Sequence, residues 1–157
     1  MDLYVLRHAK AERAASGEDE AARALSPKGQ LDARRLGRWL RDREVVLDLA
    51  ATSPHVRARE TTALVLGAEA PPIEVWDELG PEGTVEAVLA RLAALDQAEA
   101  VLVVGHKALL SALVSAAIGG GRVRLQLGSL ARVRRFTPET GGELAWLLPP
   151  SAVAPGA

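Results

Sequence analysis

Apolar residues along this chain follow two patterns that take turns: short uninterrupted blocks and stripes at helical spacing. Leu3-Tyr4-Val5-Leu6 and Val101-Leu102-Val103-Val104 are solid apolar runs of strand length, as expected of strands buried on both faces. The first predicts a strand over about residues 2–7. After Leu25-Ser26-Pro27-Lys28-Gly29, the residues Leu31, Leu36, Trp39 and Leu40 recur at helical spacing, with Ser26 as cap and Pro27 in the first helical position. A second strand is predicted over about 46–52, ending at Thr52-Ser53-Pro54. The helix after it, running to about Leu66, again reads as having a serine cap and a proline at its first position. Ile73-Glu74-Val75-Trp76 reads as a third strand, and Val85, Val88, Leu89, Leu92 and Leu95 place a helix over about 84–95. The strand at 101–104 ends at Gly105-His106, and a helix runs on to Ile118. Beyond Gly119-Gly120-Gly121 the pattern changes to short strands at about 122–126, 130–136 and 143–148, with Thr140-Gly141-Gly142 as a turn. Residues 14–24 read as a flexible surface loop. Strand–helix alternation followed by a closing meander predicts one three-layer α/β/α domain over residues 1–148, built on a central mixed, mostly parallel sheet. A flexible tail is expected over 149–157.

Two of the solid blocks stop abruptly at histidine. The first runs into Arg7-His8, and the last parallel block runs through Gly105 into His106. Were the first strand to continue, Arg7 and His8 would point to opposite faces and one would be buried, at a cost of several kcal/mol for an unpaired charge. Both side chains are better placed in a crevice at the carboxyl end of the strand, where open α/β sheets hold ligands.

Composition narrows what that crevice can do. The 157 residues carry nineteen basic and twenty acidic side chains, a net charge of −1, so no global field favours nucleic acid or an anionic membrane. Five aromatic residues are too few for a base-stacking platform. There is no cysteine, which removes disulfides, thiolate catalysis and cysteine-ligated metal. No apolar run approaches the ~20 residues of a membrane span, and no charged-then-apolar leader precedes the first strand, so a soluble, cytoplasmic protein is expected.

Among the three histidines, His8, His55 and His106, the two at strand exits are the candidates for chemistry. A neutral imidazole nitrogen can attack phosphorus and carry the phosphoryl group covalently, and nearby arginine cations disfavour the imidazolium form. His106, at a helix amino terminus with its unpaired N–H groups, could hold phosphate oxygens when protonated, with a satisfied loop histidine as the plain alternative. Arg57, in Ser53-Pro54-His55-Val56-Arg57-Ala58, lies about one turn into its helix and leans back toward the crevice. Its planar fork suits two phosphate oxygens, although a surface contact with Glu60 or Thr61 is the ordinary alternative. Glu78, after the third strand in Trp76-Asp77-Glu78-Leu79, is a candidate proton donor to a leaving group, with Asp77 as its rival and a solvated turn as the plain reading. His55 reads as exposed and without a role. Lys10 either adds positive potential at the rim or is simply solvated.

Taken in order, Arg7-His8, Leu25-Ser26-Pro27-x-Gly29, Ser53-Pro54-x-x-Arg57-Ala58-x-x-Thr61 and Val104-Gly105-His106 resemble the motifs of the histidine phosphatase superfamily, also called phosphoglycerate mutase-like, over about residues 2–148. The short chain, Arg7-His8-Ala9-Lys10-Ala11-Glu12, and Glu78-Leu79-x-Pro81-x-Gly83 look most like its SixA branch of phosphohistidine phosphatases. That resemblance implies His8 as nucleophile, Arg7, Arg57 and His106 as the phosphate pocket, and neither metal nor organic cofactor. It implies as substrate a phosphohistidine on a partner protein, with inorganic phosphate as product. A phosphatase for small phosphomonoesters and a non-catalytic phosphate-binding module are the alternatives. The superfamily has glycine after the histidine, where this chain has Ala9; alanine serves there unless the backbone needs a positive φ.

Overall fold

The structure is a computed structural model, and it describes residues 1–153. Six strands form one sheet: β1 (Asp2–Arg7), β2 (Leu49–Thr52), β3 (Ile73–Val75), β4 (Ala100–Gly105), β5 (Leu130–Thr137) and β6 (Gly141–Leu148). Their order is β3-β2-β4-β1-β5-β6. The first four are mutually parallel; β5 runs antiparallel beside β1, and β6 pairs antiparallel with β5 at the edge. Four helices cover the faces: α1 (Pro27–Arg41), α2 (Val56–Leu66), α3 (Val85–Ala93) and α4 (Lys107–Ala117). The α/β class and the mixed, mostly parallel sheet expected from the sequence are present.

Alternation along the solid apolar blocks builds the three layers. Leu3 and Val5 of β1, with Val101 and Val103 of β4, pack under α3 and α4. Tyr4, Leu6, Leu102 and Val104 face the opposite way, against α1 and α2. Both faces are therefore dry, which is why these strands carry no polar alternation. Two glycines set the close packing of α1. A Cβ at Gly29 would lie 2.0 Å from the Lys10 carbonyl oxygen, and one at Gly37 would lie 2.2 Å from that of Val65, so α1 rests directly on the loop after β1 and on α2.

Register decides where the candidate residues meet. Arg7 pairs with Gly105 across the β1–β4 ladder, and Thr52 pairs with Val104 across β2–β4. The strands before His8, Ser53 and His106 thus end at one level and deliver these residues side by side.

Several expected boundaries move. Strand β2 begins at Leu49 rather than near 46, where Val46 is 78% exposed. Helix α2 begins at Val56 with His55 in the cap position, so Ser53 is not its cap and Pro54 is not its first residue. No strand forms at 122–126 despite the alternation of Val123 and Leu125, because β4 and β5 already occupy both edges of β1. The loop over 14–24 carries a short 3-10 turn, Glu20–Ala22, whose capping residue Asp19 accepts from the Ala21 N–H at 3.1 Å. The tail expected to fray from Pro149 instead makes another 3-10 turn, Pro150–Ala152, and buries Val153 against the α1–α2 face; the remainder of that tail lies outside the described residues.

Candidate active site

His8 leaves β1 with its backbone N–H donating to the Gly105 carbonyl at 3.0 Å, and its side chain is 7% exposed. Nδ1 lies 2.8 Å from the carbonyl oxygen of Ala9. A carbonyl only accepts, so Nδ1 carries the proton. Nε2 is left as the lone-pair nitrogen, and the Nε–H of Arg57 points at it from 3.3 Å. The imidazole is fixed as one neutral tautomer with its nucleophilic edge toward the arginine.

Arg57 is 5% exposed and makes a three-way connection. Besides His8, its Nη1 donates to the Glu20 carbonyl at 2.9 Å and its Nη2 lies 3.5 Å from Nδ1 of His106. Since arginine can only donate, Nδ1 of His106 is the acceptor, and Nε2–H of His106 goes to the Ser53 hydroxyl at 2.8 Å. Ser53 Oγ also receives the His55 N–H at 3.2 Å. The serine that resembled a helix cap therefore orients a histidine. Thr61 completes the motif: its hydroxyl donates to the Arg57 carbonyl at 2.7 Å and accepts from the Ala9 N–H at 3.0 Å. This ties α2 to the loop beyond His8. Ala9 itself is not among the positive-φ residues of the described chain, so the alanine in place of glycine brings no backbone strain.

Arg7 approaches from the other side, half-buried, with Nη1 on the Leu125 carbonyl at 3.0 Å and a buried Nε that has no partner. An orphaned buried donor is costly, and an anion in the crevice would satisfy it. Burial, followed by the charges of Arg57, Arg7 and Arg23, pushes the His8 imidazole down to about 4 despite the opposing Ala9 hydrogen bond. Burial, then His8 and Arg57 among others, pushes His106 down to about 3. Both rings are neutral near pH 7, so the protonated His106 expected from the sequence is not the resting form: burial disfavours its charge.

Two residues that sequence reasoning set aside belong to this cluster. His55, expected to be exposed and idle, is half-buried and stands edge-to-face on His106 with ring centroids 4.9 Å apart, close to the 5.3 Å between His8 and His106. Burial and Arg57 lower its pKa. Arg23, from the loop read as flexible, adds positive potential at His8 and pairs with Glu20. No periodicity marks either one, since both reach the crevice from loops. Glu78 sits half-buried on the turn Asp77–Leu79, while Asp77 is exposed. The Leu79 carbonyl of that turn lies 2.9 Å from where a Cβ of Gly105 would be, so the turn packs on the end of β4. Among the described residues, no hydrogen bond joins Glu78 to His8, Arg57 or His106, and no group of three His, Asp or Glu gathers as a metal site.

Two neutral histidines at the exits of parallel strands, with Arg7 and, from α2, Arg57 beside them and a buried donor unspent, make an α/β crevice suited to an anion such as phosphate. The comparisons place the chain within a family. Residues 3–80 match the model of the histidine phosphatase superfamily, branch 1. The chain is 32% identical to the phosphohistidine phosphatase SixA of Escherichia coli, over 73% of this chain and 73% of that protein. It is 31% identical to an uncharacterized protein of Picosynechococcus, covering 95% of this chain and all of that one. The solved structure of the protein histidine phosphatase SixA complexed with tungstate superposes with a TM-score of 0.88 at 27% identity, covering 98% of this chain and 100% of that chain. The chain belongs to the histidine phosphatase superfamily and is similar to its SixA branch.

Proposed function

We propose that this protein is a phosphohistidine phosphatase acting on a partner protein through a covalent phospho-His8 intermediate. The observation that carries the reading is the tautomer of His8, with Nδ1–H given to the Ala9 carbonyl and Nε2 left unprotonated, its lone pair accepting the Arg57 Nε–H until a phosphoryl group takes that donor over. In the first step Nε2 attacks phosphorus, the phosphorus–nitrogen bond to the substrate imidazole breaks, and that imidazole takes a proton from solvent water. In the second, water attacks the phosphoryl group, the bond to Nε2 breaks, and inorganic phosphate leaves. Arg7 and Arg57 hold the equatorial oxygens with charge-assisted hydrogen bonds. A phosphate oxygen arriving at Nδ1 of His106 supplies the negative charge that favours its imidazolium form. Glu78 serves as proton donor where the leaving group needs one, a smaller demand for imidazole than for an alkoxide.

The substrate preference is supported by the similarity to SixA, which extends over 98% of this chain and 100% of the SixA chain and so leaves no large insertion to enclose a small metabolite. The alternative, a phosphatase for small phosphomonoesters, is separated by comparing turnover of a phosphohistidine protein with that of sugar and nucleotide phosphates. Quenching a reaction with labelled substrate is expected to leave acid-labile, base-stable phosphate on His8 and none in His8→Ala. Label on another residue, or full activity in His8→Ala, refutes the mechanism. No release of phosphate from any substrate would leave a phosphate-binding module.

A further inference from the structure

The chain uses arginine almost exclusively for positive charge: sixteen arginines and three lysines. All three lysines, Lys10, Lys28 and Lys107, line one cavity of about 500 Å³, together with Arg124, Asp32 and the phosphate-facing Arg7. They come from separate segments. Lys10 follows His8 by two residues, Lys107 is the first residue of α4 beside His106, and Lys28 lies in the first turn of α1. Arg124 precedes Leu125, whose carbonyl anchors Arg7. The single carboxylate of the cavity, Asp32, is committed to Lys28 at 2.9 Å. Among the described residues Lys10, Lys107 and Arg124 take part in none of the ion pairs, and all three are exposed. In a chain of net charge −1, this is a local excess of unpaired cations that adjoins the proposed phosphate site through Arg7, which lines the cavity.

We propose that this cavity is a docking subsite for carboxylates flanking the phosphorylated histidine of the partner protein, an inference that rests on the phosphohistidine reading above. The choice of side chain favours carboxylates at variable positions over a second phosphate held at a fixed one. Arginine grips phosphate through a rigid fork, whereas lysine is a mobile point charge that follows an acidic group wherever it stands. A chain that uses arginine nearly everywhere else has placed its lysines here. The wide, exposed rim matches a protein surface, and complementary charge at such a rim steers encounter and weights the acidic partner.

The test uses the full chain, a phosphohistidine peptide flanked by Asp and Glu, and a counterpart flanked by Asn and Gln, with an aryl phosphate measured alongside to normalise the phosphate site. At up to about fivefold for each exposed pair, three cations should give the acidic peptide a KM about ten- to fiftyfold lower. The preference should disappear in the triple variant Lys10→Gln, Lys107→Gln, Arg124→Gln. It should also shrink in the intact protein between 50 and 300 mM salt, where screening shortens to a few ångströms; this arm holds even if the variant fails to fold. Equal KM values for the two peptides overturn the docking subsite and leave the phosphohistidine reading standing. The unphosphorylated acidic peptide, as a competitor of aryl phosphate, separates the converse case. If neither phosphopeptide is hydrolysed yet this competition persists and is lost in the variant, the substrate reading fails and the acidic subsite stands. Strong competition by a small bisphosphate with none by the acidic peptide overturns the proposed occupant.

Discussion

Two buried histidines held neutral make the stability of this protein sensitive to acid in a defined window. In the folded state His8 is pushed down to about 4 and His106 to about 3, while in the unfolded chain both return to about 6.5. Between those values the unfolded state binds more protons than the folded one, so stability falls as pH falls below about 6.5 and continues to fall until the folded-state values are reached. Going from pH 7 to pH 4.5, each ring contributes a loss of roughly 2–3 kcal/mol at 1.36 kcal/mol per proton and pH unit. For the pair that is about 5 kcal/mol, against a total of roughly 5–15 kcal/mol for an ordinary domain. Denaturant unfolding at half-unit steps of pH measures the slope, and carboxylates contribute to it as well. The double variant His8→Asn, His106→Asn isolates the histidines, and its slope between pH 5 and 6 should be shallower by close to two protons. Histidine resonances of the free protein followed by NMR give the second readout, with no His8 titration above about pH 5. An unchanged slope in the double variant, or a His8 midpoint near 6.5, would refute the assignment of neutral, desolvated rings.

The other predictions concern turnover. Arg57→Ala should weaken inhibition by vanadate or tungstate about ten- to a hundredfold, the worth of one charge-assisted contact of about 1.5–3 kcal/mol, with Arg57→Lys recovering only part; an unchanged inhibition constant would remove Arg57 from the phosphate pocket. Glu78→Gln should slow alkyl phosphates by about 10²–10⁴-fold and barely touch phosphohistidine or an aryl phosphate, whereas equal losses on all substrates would make it a positioning residue. Activity should survive exhaustive chelation with EDTA, because Arg7 and Arg57 repel a divalent cation from the histidines; loss restored specifically by zinc or manganese would refute this.

What was legible in the sequence was whatever the backbone alone dictates. Solid apolar blocks at 3–6 and 101–104 are strands because both faces are covered, and the turn chemistry of Ser26-Pro27 started α1 where expected, with Ser26 accepting the Gly29 N–H at 3.1 Å. The strand-exit rule brought Arg7, His8 and His106 to one crevice, and the lean of a helical side chain brought Arg57 to them. Missed were side chains whose role depends on a partner distant in the chain. Ser53 has the composition of a cap and the position of one, yet its hydroxyl serves His106, fifty-three residues away. His55 follows a proline in a polar stretch, and only the proximity of β2 to β4 stacks it on His106. The alternation at 122–126 failed for the opposite reason, since a local strand signal has no effect beside β1, whose two sides are taken by β4 and β5.

The way the arginines are held explains how one crevice can be strongly cationic while His8, the proposed nucleophile, stays uncharged. Arg57 is oriented by the carbonyl of Glu20 and Arg7 by the carbonyl of Leu125. A carbonyl fixes a guanidinium without neutralising it. The nearest carboxylate, that of Glu20, stands 3.8 Å from Arg57 on a side chain that is 59% exposed, where screening by water leaves little of its effect. Full positive charge therefore remains directed at the space between the histidines. Burial is the main reason that His8 is neutral, and the same charge adds to it, so in the proposed mechanism the field that would attract phosphate also disfavours protonation of the attacking nitrogen. A buried carboxylate in place of either carbonyl would undo both effects at once, weakening the hold on phosphate and raising the proton affinity of the nucleophile. The short loop turn at Glu20–Ala22, which no hydrophobic pattern announces, contributes a backbone oxygen to this arrangement. A main-chain oxygen leaves no mark in the identity of its residue, so that contribution can be found only in the fold.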